Sequence, residues 1–214
     1  VEALECPTLL YNGFGEHNIQ GIGDKHVPFI HNVMNTDYVI GISDTASDAL
    51  NLLFNTSSGR AYLAKRTGLG QKFLGALADL GLSSIANVLG AVKLAKYANM
   101  GTNDAILTVA TDGSELYGTE QEKALSQQPD GRLDTAAAAE AYGRYMLGAA
   151  TDHLLETSRR DRERIFNLGY YTWVEQQGVD VPAFEVRRDQ SFWDGLMSKV
   201  PQWDAMIDDF NSNL

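Results

Sequence analysis

The sequence predicts an α/β fold in which a mostly parallel sheet is flanked by helices, with a helical extension at the C-terminal end. Two patterns carry this prediction. The apolar run Tyr38–Ile42 leads into a capped helical pattern, and a second helical pattern that ends near Tyr97 leads into the apolar segment 105–111. Alternation of helices with short, fully apolar runs is typical of parallel strands that helices cover on both faces.

The first predicted elements are two strands and a helix. Thr8–Tyr11 is expected to be a short buried strand that ends in the turn NGFGEHN, and Tyr38–Ile42 is expected to be the second strand. Ser43 has the side chain of an N-cap, because its hydroxyl can accept a hydrogen bond from the first helical turn. Short amphipathic segments follow at 59–66 and 71–80. Between the cap and these segments, apolar residues recur at helical spacing: Ala46, Ala49, Leu50 and Leu53.

The clearest unit is a longer helix that runs into an apolar segment. Ser83 or Ser84 is expected to open this helix, which continues through Tyr97 and ends in the region of Gly101. The segment 105–111, AILTVAT, is apolar without alternation. A run of this kind predicts a strand that is buried on both faces.

Composition divides the chain into three parts and excludes some partners. Residues 1–120 are interpreted as the α/β core, 121–133 as a polar linker and 134–214 as a helical extension. The formal net charge is −11, from 17 basic and 28 acidic residues. Without a basic stripe, nucleic acid and anionic membranes are poor candidates as partners. There is no run of about 18 apolar residues.

Cysteine content bears on the compartment and on metal chemistry. Cys6 is the only cysteine, so the chain can form no internal disulfide and no zinc site of the multi-cysteine kind. A reducing compartment, the cytoplasm, is therefore expected.

One short stretch concentrates the residues with the most chemical potential. Gly21 and Gly23 would let backbone amides approach an anion, although two glycines without a third are a weak signal. Asp24, His26 and His31 have side chains that suit zinc or iron, but their spacing matches no compact ligand motif. A metal-dependent enzyme is therefore a minor alternative, and a surface role for these residues is favoured.

The serines and acidic residues further along the chain allow two interpretations. Ser83 and Ser84 are followed by Ile85 rather than by the glycine of a nucleophile elbow, so serine hydrolase chemistry is disfavoured and helix capping is favoured. Asp112 and Glu115 follow the apolar run 105–111, where open parallel sheets place their ligands. They could equally form a turn.

Three segments, taken in order, resemble the C-terminal half of the cysteine synthase and cystathionine β-synthase family, the fold-type II enzymes that depend on pyridoxal phosphate. The first is HNIQGIGDKHVP, similar to the family stretch H-K-I-Q-G-I-G that ends in a proline. The second is DLGLSSIANVLGAVKLAKY, similar to the G-I-S-S-G-A helix start. The third is AILTVATDGSELYGTE, similar to an apolar strand followed by D-S-G-E-R-Y. The resemblance covers about residues 8–120, and the helical remainder is similar to an extension in a cysteine synthase-like bacterial subgroup.

The resemblance implies β-elimination or β-replacement on a β-substituted amino acid, through an aminoacrylate intermediate, with pyridoxal phosphate as the electron sink. Ser83 aligns with the serine that faces the pyridine nitrogen of the cofactor. A neutral hydrogen bond there, worth about 0.5–1.5 kcal/mol, leaves this nitrogen largely unprotonated. Gly21 and Gly23 match the loop that borders cofactor and substrate. The other residues that the resemblance places near cofactor or substrate are Ile22, Asp24, His26, Gly81, Ser84, Asp112 and Tyr117.

The sequence also departs from the family. Ile85 replaces a glycine of the serine motif, and small residues are reordered in DGSELY. Asp24, Lys25 and His26 replace small or apolar residues, where they would line the substrate entrance. The family's Schiff-base lysine, substrate-carboxylate loop and phosphate loop all precede the first matched segment. None of the lysines of this chain lies in a matching motif: Lys25, Lys65, Lys72, Lys93, Lys96, Lys123 and Lys199.

The chain is therefore expected to complete an active site that another polypeptide mainly supplies, after a gene split, cleavage of a precursor or isolation of a fragment. The expected assembly is a heteromer with the complementary N-terminal half, in the form of a dimer of heterodimers with a large apolar interface. No residue of this chain is expected to be the catalytic lysine. The alternative is a non-catalytic binding or regulatory subunit that keeps the fold and has lost the chemistry.

Overall fold

The structure is a computed structural model that describes residues 1–213. It forms two compact units. The first comprises Val1–Lys25 and Tyr38–Glu156, and the second comprises His26–Asp37 together with the described residues from Thr157 onward. Each unit has its own buried side chains and is described by itself.

The first unit contains the sheet and most of the long helices. Short 3₁₀ turns at Leu77–Asp79, Ser114–Tyr117 and Pro129–Gly131 connect its helices. Its elements, in chain order, are β1 (Glu2–Ala3), α1 (Thr8–Tyr11), β2 (Tyr38–Ile42), α2 (Asp44–Asn55), α3 (Ser57–Thr67), α4 (Gln71–Ala76), α5 (Leu82–Tyr97), α6 (Gly118–Ser126), α7 (Thr135–Ala141), which a π-helical segment Tyr142–Leu147 continues, and β3 (Leu154–Glu156).

The sheet has three strands in the order β1-β2-β3. β1 pairs with β2 in parallel, with Ala3 opposite Ile42, and β3 pairs with β2 in antiparallel, with Glu156 opposite Tyr38. The α/β class is confirmed. The sheet is small and mixed, so the mostly parallel sheet expected from the sequence is not confirmed.

The strand β2 and the helix α2 agree with the sequence prediction. The Ser43 hydroxyl accepts a hydrogen bond from the backbone N–H of Ala46 at 3.2 Å, as an N-cap does. α2 packs against α3, α5, α6 and α7. Its residues Leu50 and Leu53 are buried in the main core together with Ile85 and Leu89 of α5. α2 is therefore the central helix of the first unit.

The strand predicted for Thr8–Tyr11 is wrong, because these residues form the single turn α1. The reason lies upstream. The buried carboxylate of Glu2 accepts hydrogen bonds from the backbone N–H groups of Leu9 and Leu10, at 3.0 and 2.8 Å, and so satisfies donors at the start of a helix. Asn12 ends the turn in the left-handed conformation, with φ 55°.

The segment 105–111 belongs to no strand or helix, so the strand predicted there is absent from the described part of the chain. Its apolar side chains point to solvent, with Leu107 99% and Val109 65% exposed. Within the described residues, the backbone of 105–110 makes one hydrogen bond, which the Asn87 side chain donates to the Val109 carbonyl at 3.0 Å. A strand needs at least one neighbouring strand to pair these groups, and 105–110 has none among the described residues.

The helices before this segment fall close to their predicted places. The segment predicted at 59–66 lies inside α3, and the one at 71–80 corresponds to α4 and the following 3₁₀ turn. α5 spans Leu82–Tyr97, but its N-cap is Gly81, so neither Ser83 nor Ser84 is the cap. Their side chains have other partners, which are described below.

The division into units differs from the boundaries drawn on the sequence. Most of the segment 121–133, interpreted as a linker, is the second half of α6 and a 3₁₀ turn. α7 and its π-helical continuation, taken as the start of the extension at 134, pack on α2 and α3 of the first unit. The second unit therefore comprises the described residues from Thr157 onward together with the segment His26–Asp37 from the N-terminal part of the chain.

The second unit is helical. An aromatic core of Phe166, Phe184 and Tyr170 holds it together, with ring centroids 4.6 Å apart for the first pair and 5.8 Å for Phe184 and Tyr170. Its elements are a 3₁₀ turn Val33–Asn35, α8 (Arg159–Tyr170) with a π-helical continuation Tyr171–Gln176, α9 (Val181–Glu185), a 3₁₀ turn Val186–Arg188, α10 (Gln190–Met197) and α11 (Val200–Ser212).

No single helix in the described range is long and apolar enough to cross a membrane. One bent pair, Gln71–Asp79 with Leu82–Tyr97, reaches the required length and composition only when its two arms, at 110° to each other, are taken together.

Candidate functional site

Parts of all three segments that carry the family resemblance lie close together in the first unit. The glycine loop 21–23 lies against the start of α5, since a Cβ built on Gly21 would lie 3.7 Å from the Ser83 hydroxyl oxygen. Gly21 has φ 89° and Gly23 has φ 81°, a left-handed conformation that favours glycine. The loop therefore passes the helix start with no side chain at Gly21 to separate them.

The start of α5 contacts Thr111, the last residue of the apolar segment. Ser83 and Ser84 are buried, 2% and 1% exposed. The hydroxyls of Ser83 and Thr111 are 2.7 Å apart, and the backbone N–H of Thr111 donates to the Ser84 hydroxyl at 2.9 Å. When two hydroxyls form a hydrogen bond with each other, one of them donates its proton and the proton of the other is left for a further hydrogen bond. The pair can therefore give one further hydrogen bond to a ligand.

Gly81, the N-cap of α5, holds the residues that follow Thr111 against the start of this helix. Its backbone N–H donates to the Asp112 carbonyl at 2.7 Å. A Cβ at Gly81 would lie 2.5 Å from that oxygen and 2.6 Å from a ring carbon of Tyr117. The absence of a side chain at Gly81 thus lets residues 112 and 117 approach α5.

Tyr117 is the last member of the cluster and contacts Asp112. The ring is 4% exposed, and its hydroxyl donates to an Asp112 carboxylate oxygen at 3.4 Å. Burial raises the pKa of Tyr117, and the negative charge of Asp112 raises this pKa further. Tyr117 therefore stays a neutral hydrogen-bond donor around neutral pH.

The structure brings together six of the residues that the resemblance selects. These are Gly21, Gly81, Ser83, Ser84, Asp112 and Tyr117. Thr111 was missed by the sequence analysis, although it joins both serines. Its position as the last residue of the apolar run 105–111, at the end expected to carry ligands in an open sheet, is the signal that could have identified it.

The remaining loop residues point elsewhere. Ile22 packs partly buried against the main core. The space around Gly23 is taken by His17 and Ala3 rather than by Ser83, and the Gly23 carbonyl is 2.7 Å from His17 Nε2. The carbonyl of Asp24 accepts a hydrogen bond from the Thr8 hydroxyl at 2.7 Å. The Asp24 side chain itself is exposed.

The two histidines of the same stretch belong to the second unit and contact threonines there. His26 Nδ1 is 3.2 Å from the Thr172 hydroxyl, and His31 Nε2 is 2.8 Å from the Thr36 hydroxyl. Burial lowers the pKa of His31. No group of three or more His, Cys, Asp or Glu side chains within residues 1–213 is arranged to hold a metal ion.

The lysines of the first unit lie outside the Ser83–Thr111 cluster. Lys93 donates to Asp152, Lys96 to the Ala149 carbonyl and Lys123 to Asn18. Lys25, Lys65 and Lys72 are exposed. The cluster therefore offers hydroxyl, amide and carboxylate groups and no amine.

Comparison with known proteins adds no further assignment. The chain matches none of the family models, curated proteins or solved structures against which it was compared.

Proposed function

We propose that this chain is the C-terminal part of a fold-type II enzyme that uses pyridoxal phosphate for β-elimination or β-replacement on a β-substituted amino acid. The observation that carries the proposal is the convergence of Gly21, Ser83 and Asp112. These residues come from three segments that are far apart in sequence, and the resemblance assigns each of them to the cofactor site.

The residues present suit one edge of the cofactor. Ser83 and Thr111 offer a neutral hydroxyl for the pyridine nitrogen, and Gly21 leaves space beside them. Asp112 lies further out and is itself held by Tyr117. When bound, pyridoxal phosphate supplies the electron sink for removal of the α-proton. The chain's own groups orient the ring and keep its nitrogen without a formal charge, because a hydroxyl stabilises a proton there far less than a carboxylate does.

The segment 105–110 supports a shared active site. It carries exposed Ile106, Leu107 and Val109 and leaves nearly all of its backbone groups unpaired within the described chain. An apolar segment with free backbone groups is the kind of edge to which another chain adds strands. We infer that the complementary half pairs with this segment. That half would also supply the amine that the Ser83–Thr111 cluster lacks.

Leu107→Asp should weaken assembly with the complementary half at least about tenfold, because burying a leucine is worth about 1.5–3 kcal/mol and a buried aspartate adds a further cost. The stability of the isolated chain should stay unchanged, since Leu107 is 99% exposed there. The companion chain is first recovered by co-purification, and affinity is measured by biolayer interferometry.

The matched control for this assembly test is Leu147→Asp. Leu147 is 56% exposed and lies on the π-helical segment after α7, about 40 residues further along the chain than 105–111. Equal losses for the two variants would mean that added negative charge, and not strand pairing, weakens the complex.

Ser83→Ala in the assembled enzyme should lower the rate of substrate turnover about two- to tenfold, since a neutral hydrogen bond is worth about 0.5–1.5 kcal/mol. It should also shift the absorbance maximum of the bound cofactor, because the group facing the ring nitrogen has changed. Both are read in a stopped-flow spectrophotometer on the complex. Ser57→Ala is the control, as Ser57 is an exposed residue at the start of α3.

The rival proposal, a non-catalytic subunit that keeps the fold, makes the opposite prediction. An unchanged spectrum and rate in the Ser83 variant would favour it. A strong visible band from lysine-bound cofactor in this chain alone would contradict the shared active site, because no lysine lies in the cluster.

A further inference from the structure

A cavity of about 380 Å³ lies in the first unit, apart from the Ser83–Thr111 cluster. It opens where β2 ends and α2 begins, so that Gly41, Ile42 and Ser43 form one wall. Ligand pockets in proteins range from about 300 to 1,000 Å³. They are common beyond the carboxyl end of a strand that feeds into a helix. The place and the size of this cavity are therefore those of a small-molecule site.

The cavity carries one uncompensated positive charge. Lys93 donates to the Asp152 carboxylate at 2.9 Å, and this bond lowers the pKa of Asp152. These two charges cancel. Arg144 has no carboxylate partner among the described residues, and its guanidinium lies 5.2 Å from the centre of the Tyr145 ring. A free guanidinium can hold a carboxylate through two parallel hydrogen bonds.

Part of the cavity wall is apolar. Leu4, Ile42, Ala46 and Leu89 contribute hydrocarbon side chains to this wall. A bare inorganic anion would leave this wall uncovered. A ligand with one carboxylate and a short hydrocarbon body would cover it and would match the single excess charge.

The backbone of the rim is unusual at two points. Arg144 and Tyr145 lie on the π-helical segment Tyr142–Leu147, and His153 has φ 50°, a left-handed conformation uncommon outside glycine. Both features cost stability and are concentrated at ligand sites.

We propose that this cavity binds a small organic monocarboxylate, whose carboxylate pairs with Arg144 and whose hydrocarbon part contacts Leu89 and Ala46. The site is independent of the proposed cofactor function, because none of the residues of the Ser83–Thr111 cluster lines it. Binding at this place can therefore be tested on the full chain without cofactor or companion chain.

Isothermal titration of the chain with pentanoate tests the proposal. One molecule per chain should bind saturably, and Arg144→Gln should weaken binding about tenfold or more, as expected for loss of a charge-assisted hydrogen bond. Arg132→Gln is the matched control, because Arg132 is an exposed arginine whose single ion pair, with Asp130, is 3.9 Å long. It should bind pentanoate like the wild type. Arg144 is exposed, so folding of its variant is checked by circular dichroism alone.

Three results would overturn the proposal. The first is the absence of saturable binding. The second is an equal effect of the two arginine variants, which would indicate general electrostatic attraction. The third is binding of pentanamide or inorganic phosphate as tightly as pentanoate, since the first lacks the charge and the second lacks the hydrocarbon body.

Discussion

Gly81→Ala should lower the unfolding free energy of the first unit by about 3 kcal/mol, at the upper end of the usual cost of overpacking a core. The new methyl group would lie 2.5 Å from the Asp112 carbonyl oxygen and 2.6 Å from the Tyr117 ring. One neighbour is backbone and the other is a buried ring, so neither can turn aside. Relief requires that residues 112–117 move away from α5, which also separates Thr111 from Ser83.

Hydrogen exchange measured by mass spectrometry would detect this change in peptides that cover 82–97 and 108–117. The control is Gly75→Ala in α4, where no atom lies within 4 Å of the new methyl group. Alanine there should raise stability by about 0.5–1 kcal/mol, because glycine is a poor helix former. Unchanged protection of both peptides in Gly81→Ala would show that the helix start is loosely packed.

Local patterns were sufficient for part of the fold. β2, the Ser43 cap and α2 were predicted from an apolar run, a hydroxyl and helical spacing, and the structure confirms all three. These signals are local, because the cap bonds a residue three positions away and the spacing belongs to one helix. Helices α3 and α5 were found for the same reason.

The failures have non-local causes. Thr8–Tyr11 has only four residues, too few for hydrophobic periodicity to distinguish a strand from a helix. The helical turn is stabilised by the carboxylate of Glu2, six residues upstream of Thr8, which accepts a hydrogen bond from the Leu9 backbone N–H. The segment 105–111 has the composition of a buried strand. Composition does not reveal whether a strand of the chain lies beside it. No strand of the described residues pairs with this segment, so it is exposed.

For the candidate site, the resemblance indicated which residues lie close together better than how they are oriented. The resemblance selected Gly21, Ser83 and Asp112, which converge, but it also selected Gly23, which faces His17. A sequence motif gives the order of residues and not the direction of each side chain, which depends on backbone angles that the neighbours set.

Phe184→Ala should be the most destabilising single change in the second unit, with a loss of about 3–5 kcal/mol, because truncation of a buried phenylalanine removes its transfer energy and leaves a cavity. Phe184 is fully buried. Its ring contacts Phe166 and Tyr170, and the guanidinium of Arg187 lies 4.5 Å from its centre. Arg187 is itself buried, and its pKa is lowered by this burial, so it depends on the aromatic faces around it.

Tryptophan fluorescence during urea unfolding isolates this effect. The three tryptophans of the chain, Trp173, Trp193 and Trp203, all lie in the second unit, so their emission reports that unit without a signal from the first. Phe210→Ala is the control, because Phe210 on α11 is 65% exposed and its truncation should change stability by less than about 0.5 kcal/mol. If Phe184→Ala and Phe210→Ala shifted the urea midpoint equally, the aromatic cluster around Arg187 could not be the core that holds this unit together.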